Sequence, residues 1–469
     1  MKTPLYTALT QHAEKRPYSF HVPGHHNGDV FFDEARPYFA PLLQLDVTEL
    51  EGLDDLHHPT GIIQEAEALL AQLYGARMSF FLVNGTTVGN LAMVMATCNK
   101  GDEILVQRNC HKSIFHAIEL AGATPVFLET ELDQHLQVST HVSEKTVTTA
   151  IAKHPNSKVI VFTYPNYYGH SVDLTRIIQI CHDAGLLVLV DEAHGAHFIL
   201  GEGFPPSALS YGADVVVQSA HKTLPAMTMG SFLHIQHERV DGQKIKTMLT
   251  MLQSSSPSYP IMASLDVARA FVEKIKTEGQ VEQVISRVKR QKEQLLQIPH
   301  IELVEPEHVK TDPLKCCIRS TKGLSGYELK RVLESVEVHP ELADEHQVLL
   351  IFSLGEMKPF PVEIVKQALE SSHSLLAQHE SGRDKVRLIE TDLLLQGMEV
   401  VTFDEAVNRI SAESVIPYPP GIPLILKGER IEVEQIEKLN RLLHQKVHVQ
   451  GNSVIFQQQL YVYIEEETL

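Results

Sequence analysis

Two clusters of reactive side chains are close together in the chain: Asp191 to His197 reads Asp-Glu-Ala-His-Gly-Ala-His, and Ser219 to Thr223 reads Ser-Ala-His-Lys-Thr. A lysine in a partly buried crevice is a candidate Schiff-base former, because burial and a neighbouring His221 favour its neutral, nucleophilic form. A carboxylate such as Asp191 beside it is what a pyridinium nitrogen needs as a partner. Lys222 and Asp191 alone would also suit an ordinary ion pair, so the chemistry needs a third point, an anion site. Asn84-Gly85-Thr86-Thr87 offers one: a glycine that lets backbone come close, two hydroxyls, and the start of an apolar helix. The same four residues also fit a plain helix cap.

The flanking sequence must place these groups. Leu186 to Val190 is a continuous apolar run, as expected for a strand buried on both faces, and Ala213 to Gln218 is a second such run. In an open parallel sheet, ligands sit outside the carboxyl ends of the strands, so the two clusters are expected to face one crevice. Further strands are expected near 79–83, 103–107, 125–128, 158–163 and 230–235, alternating with helical patterns such as Ser113 to Ala121 and Leu174 to His182. Such alternation gives βαβ units and a mainly parallel sheet, hence an α/β fold. Ile62 to Leu73, ended by Gly75, reads as the first helix of the large domain, Val88 to Cys98 as the helix after the Gly85 turn, and Val267 to Gln297 as one long charged helical region. Ile301 to Val304, Cys316 to Arg319, Val348 to Ser353 and a helix from Val362 to Gln378 suggest a smaller α/β domain. The expected division is an N-terminal arm over 1–60, a large domain with its linking helix over 61–297, and a small C-terminal domain over 298–469.

With these residues in place, the sequence resembles the Orn/Lys/Arg decarboxylase family, in its short form without an N-terminal wing domain. The resemblance is carried by HVPGHHNG (His21 to Gly28), DVTELEGLDDLHHPTG (Asp46 to Gly61), NGTT (Asn84 to Thr87), RNCHKS (Arg108 to Ser113), DEAHGAH, SAHKT, SSSPSYPIMASLD (Ser254 to Asp266) and YPPGIPLILKGE (Tyr418 to Glu429), in order along nearly the whole chain. It implies a fold-type I (aspartate aminotransferase-like) large domain and pyridoxal 5'-phosphate as cofactor. It further implies that Lys222 carries the cofactor and that Asp191 meets the pyridine nitrogen. His111 would stack on the ring, His194 and His221 would flank it, and Gly85, Thr86, Thr87 and Ser219 would hold the phosphate. The Ser254-Ser255-Ser256 loop would reach a partner subunit's phosphate site, making the chain a homodimer or a higher homo-oligomer, and the N-terminal arm would lie over the active site and dimer interface. The chain departs from the family at His26, where lysine is usual, and in the unusual Val338-His339-Pro340 before Glu341.

Composition narrows the partners. A net charge of −19 with no compensating basic run argues against nucleic acid and anionic membranes. No stretch approaches the roughly 18 apolar residues of a membrane span, and the N-terminus lacks an apolar signal core. Five scattered cysteines form no disulfide framework or paired metal spacing, so a reducing cytoplasm is the expected compartment. Histidines 21, 25, 26, 57, 58, 194 and 197 could in principle gather a metal. No helical His-Glu-x-x-His pattern or cysteine partner supports that, and no metal is expected.

The leading expectation is therefore decarboxylation of a basic amino acid (arginine, lysine or ornithine) to its amine and CO2, with Lys222 and His221 as candidate proton donors to Cα. The substrate's distal cation would meet acidic groups, with Glu49 to Asp55 and Glu341 to Asp344 as candidates. Transamination or β-elimination on the same fold is the alternative. A transaminase would clamp the substrate carboxylate with arginine, and Arg319, Arg383 or Arg409 could serve. A non-catalytic homologue is disfavoured by the intact Lys222, Asp191 and glycine turn.

Overall fold

The computed structural model describes residues 1–306, 308–372, 389–390, 397–418 and 421–464. The main strands in chain order are β1 (Met78–Leu82), β2 (Glu103–Gln107), β3 (Thr124–Leu128), β4 (Val159–Thr163), β5 (Leu187–Asp191), β6 (Val215–Gln218) and β7 (Ser231–Ile235). The helices that matter for the site are α1 (Pro4–Glu14), α2 (Ile62–Tyr74), α3 (Gly85–Thr97), α4 (Lys112–Ala121), the single-turn α5 (Ala220–Thr223), α6 (Gly242–Leu252) and α7 (Tyr259–Thr277). The chain forms two compact units, residues 1–99, 173–288 and 353–357 in one and residues 100–172, 289–352 and 358–469 in the other.

In the first unit β5 and β6 pair in parallel, while β7 runs antiparallel between β6 and β1. Every residue of β6 and β7 is buried, so both runs are mainly apolar, and the polar His234 among them lies 3.2 Å from the Gln218 side chain and 2.7 Å from the Ser79 hydroxyl. Helix α3 lies close on this sheet: a Cβ at Gly89 would stand 2.5 Å from Val217 Cγ1 and 2.8 Å from Leu82 Cδ1. Only a glycine lets the helix settle at that distance. Helix α2 ends at Gly75 in the left-handed conformation, as its sequence position indicates. Asp266 of α7 accepts the backbone N–H groups of Leu5 and Tyr6, and the buried Arg269 pairs with Asp266 and with Glu273. These contacts fix α1 on α7.

In the second unit β2 pairs in parallel with both β3 and β4. A four-stranded antiparallel sheet follows in the order Ile301–Val304, Lys315–Ser320, Val348–Ile351, Leu342–Ala343. Met398–Thr402 pairs with Gln459–Tyr463 beside a core that includes Phe403, Val415, Ile425, Leu439 and Leu460. Among the described residues no helix is long and apolar enough to cross a membrane.

The seven expected strands all form. The charged helical region expected over 267–297 is built of two helices: α7, which stops at Thr277, and a further helix from Val281 to Leu295. Gly279, at φ +64° between them, lets the chain turn where a helix would otherwise continue. Helix α3 starts at Gly85, three residues before its expected start. The helix beginning at Val362 is described to Glu370, and its expected continuation from residue 373 lies outside the described residues.

Candidate active site

Strand β5 delivers Asp191 at its carboxyl end, where the residue is only 3% exposed. Its Oδ1 accepts the Ala193 backbone N–H at 3.2 Å and its Oδ2 accepts the Asn90 side-chain amide at 2.9 Å. Burial pushes this carboxyl upward, while the charge of Lys222, the Asn90 amide and the Ala193 N–H pull it back toward the ionised form. Strand β6 ends at Gln218, and the chain turns through Ser219 into α5, which carries His221 and Lys222. Lys222 is half-buried, and its Nζ lies 3.1 Å from Nε2 of the buried His194. His221 Nδ1 lies 3.0 Å from the Gly230 carbonyl. That carbonyl can only accept, so the Nδ1 proton is committed to it and the ring tautomer is set.

The anion-binding candidates converge in the same unit. Gly85 opens α3 at φ +75°, a conformation suited to glycine, and its N–H donates to the Met229 carbonyl at 2.8 Å. Asn84 makes no side-chain cap, so the bland capping role for this turn is not filled by that residue. The Thr86 and Ser219 hydroxyls lie 2.9 Å apart, and Thr87 is exposed in the same first turn of helix. A helix start with two or three hydroxyls suits a phosphate, and a lysine with a buried carboxylate suits a pyridine ring carrying an aldehyde. This donor set fits pyridoxal phosphate.

Ser254, Ser255 and Ser256 are exposed in the connection between α6 and α7. The Ser254 carbonyl accepts His57 Nε2–H at 2.8 Å. His111 belongs to the second unit, where it caps α4: its Nδ1 accepts the Ser113 N–H at 3.2 Å and lies 2.8 Å from the Ser113 hydroxyl. The ring lies against Gly421, where an added Cβ would sit 3.2 Å from both Cδ2 and Nε2.

Two positioning groups were not among the expected site residues, although Arg108 opens the RNCHKS motif and Glu429 closes YPPGIPLILKGE. Asn90 is completely buried on the apolar α3 and supplies the amide that reaches Asp191. Arg108 binds Glu429 at 2.8 Å and donates to the Pro423 and Leu424 carbonyls, clamping the segment after Gly421 beside the strand that leads to His111. Glu192, next to Asp191, is fully buried, and burial raises its carboxyl to about 8. It accepts from Ser207, the Ala208 N–H and Gln218, tying the ends of β5 and β6 to the following loop.

Of the acidic groups singled out for a distal cation, Asp54, Asp55 and Asp344 are engaged elsewhere. Asp54 accepts the N–H groups of Asp55, Thr60, Gly61 and Ile63, which fixes the start of α2 and holds its carboxyl below the usual range despite partial burial. Asp55 accepts the His57 N–H. Asp344 accepts the Tyr168 hydroxyl at 2.5 Å and the N–H groups of His346 and Gln347. Of the arginines that a transaminase would need, Arg319 donates to the His135 carbonyl and Gln347, and Arg409 to Glu399 and the Tyr463 carbonyl. Arg383 lies outside the described residues.

Comparison with known proteins agrees with this geometry. Residues 3–359 match the family model of the Orn/Lys/Arg decarboxylase major domain, and residues 386–450 that of the Orn/Lys/Arg decarboxylase C-terminal domain. The chain is 54% identical over 478 aligned positions to the uncharacterized protein YaaO of Bacillus subtilis (strain 168), covering 100% of both chains. It is 36% identical to the arginine decarboxylase of the same organism, covering 96% of this chain and 95% of the relative. The solved lysine decarboxylase LdcF of Francisella novicida shares the fold, with a TM-score of 0.80 at 18% identity, over 99% of this chain and 81% of the other. An α/β unit of the fold-type I kind, a lysine and a buried aspartate at adjacent strand ends, and matches over nearly the whole length converge on one assignment: the chain belongs to the Orn/Lys/Arg decarboxylase family, a family of amino acid decarboxylases.

Proposed function

We propose that this protein is a pyridoxal-phosphate-dependent decarboxylase of a basic amino acid, with arginine the first substrate to test. The observation that carries the reading is the grouping of Lys222, His194, Asp191 and Asn90 beside the Thr86–Ser219 hydroxyl pair. Arginine is placed first because an arginine decarboxylase is similar over nearly the full length.

When bound, pyridoxal phosphate supplies a ring that accepts the electron pair left as the bond between Cα and the carboxylate breaks. Lys222 Nζ would hold the cofactor, and Asp191, whose ionised form its two N–H donors favour, would hold a proton on the pyridine nitrogen. Thr86, Thr87 and Ser219 would bind the phosphate, with Gly85 letting the backbone come close, and His194 would orient the Lys222 amine. The proton that Cα needs after loss of CO2 would come from the Lys222 ammonium, or from Nε2 of a doubly protonated His221, whose Nδ1 proton is held by the Gly230 carbonyl. The exposed Ser255 and Ser256 complete the phosphate site of a partner copy in a homodimer.

The testing experiment is CO2 release by the purified, cofactor-loaded protein across arginine, lysine, ornithine, glutamate and leucine. Release from one of the three basic amino acids is expected. Preference for glutamate or leucine, or formation of a keto acid without CO2, overturns the proposal.

A further inference from the structure

Asn90 is a polar residue with no solvent exposure in a helix whose other buried side chains, Val88, Ala92, Met93 and Val94, are apolar. Placing an amide there has a desolvation cost unless it is hydrogen-bonded. Its Nδ2 donates to Asp191 Oδ2 at 2.9 Å, and it reaches that atom because Gly89, the preceding residue, brings α3 within 2.5 Å of Val217 at the Cβ position. A helix held further off by a side chain at position 89 would withdraw the amide. The other carboxylate oxygen is held by the Ala193 N–H, so between them the two donors fix the orientation of the Asp191 group. Donors aimed at a buried carboxylate favour its charged form, and a bond to a charged group is stronger than one between neutral partners.

We propose that Asn90 is a positioning residue that orients Asp191 and keeps it ionised, so that the ring nitrogen of the cofactor stays protonated. This rests on the reading of Asp191 as that nitrogen's partner. Asn90 touches neither substrate nor cofactor in this account; it acts through Asp191.

The test follows the ring nitrogen directly, by 15N NMR at neutral pH of holoenzyme loaded with 15N-labelled pyridoxal phosphate. Wild type, Asn90→Leu, Asn90→Ala and Asp191→Asn are compared, with cofactor stoichiometry and circular dichroism as checks of folding. Loss of the Asn90 donor makes Asp191 the stronger base, so the shared proton should move from the ring nitrogen toward the carboxylate, and the 15N signal at neutral pH should shift part-way to that of an unprotonated pyridine; Asp191→Asn should give the unprotonated signal outright. A wild-type 15N signal at neutral pH in the Asn90 variants, with a shifted Asp191→Asn, overturns the role of Asn90 and leaves Asp191 standing. A wild-type signal in Asp191→Asn removes the reading of Asp191 and this inference with it. Failure of both Asn90 variants to fold while Asp191→Asn folds also overturns it, because the amide would then be serving the fold and not the carboxylate.

Discussion

Lys222 Nζ and His194 Nε2 stand 3.1 Å apart, bridging the loop after β5 and the single turn of helix after β6. An ammonium at that distance donates to a neutral imidazole, and a neutral amine accepts from one, so the pair can hold the lysine in either state. We predict that His194→Leu leaves the substrate KM within a few-fold and lowers kcat by about 100-fold. Steady-state kinetics check this; a loss confined to KM would make His194 a substrate-binding group instead.

The His111 ring is predicted to depend on Gly421. A methyl group there would lie 3.2 Å from two ring atoms, and φ of +93° strains any larger residue. Gly421→Ala should therefore destabilise the protein by about 1–3 kcal/mol in denaturant unfolding and lower kcat. Full stability and full activity together would show that the ring has room to move.

Legibility in the sequence followed the range of the interaction. Asp191 and Lys222 could be found because each ends an apolar run, and the strand period alone places such residues at a sheet edge. Gly75 and the Gly85 turn were equally local. Asn90 was not found, since one asparagine in an apolar helix has no meaning until β5 is brought beneath it. Arg108 and Glu429 are 321 residues apart, and His57 and Ser254 are 197 apart. No periodicity reports such pairs. The acidic stretch at Glu49 to Asp55 looked like a cation site because charge is visible in sequence, whereas the four N–H groups that occupy Asp54 are not.

Asp54 gives a prediction with a pH sign. Its carboxyl is held below its ordinary value of 3.8 in the folded protein by backbone N–H donors, so its stabilising effect is complete above that value and is lost as pH falls through the lower folded value. Asp54→Ala should cost about 1 kcal/mol near neutrality, and the gap between variant and wild type should close in acid. Denaturation at neutral pH and in mildly and strongly acidic buffer checks it; a gap that widens in acid contradicts it.

The exposed serines at 254–256 are predicted to act across a homodimer. Mixing Lys222→Ala with a Ser254/Ser255/Ser256 triple alanine variant, each inactive alone, places both defects in one site of a mixed dimer and none in the other. With random exchange about a quarter of full activity should return. Demonstrated exchange without recovery, or a fully active triple variant, would remove the cross-subunit role. The His57 bond to the Ser254 carbonyl makes His57→Ala a milder form of the same defect.

The proposed chemistry depends on Lys222 being the residue that carries pyridoxal phosphate. Borohydride reduction of the yellow holoenzyme, followed by proteolysis and mass spectrometry, reads this directly. The account predicts one label per chain on the peptide containing Lys222, and none in Lys222→Ala. A label on any other lysine, or an unlabelled Lys222 in protein that binds the cofactor stoichiometrically, would contradict it.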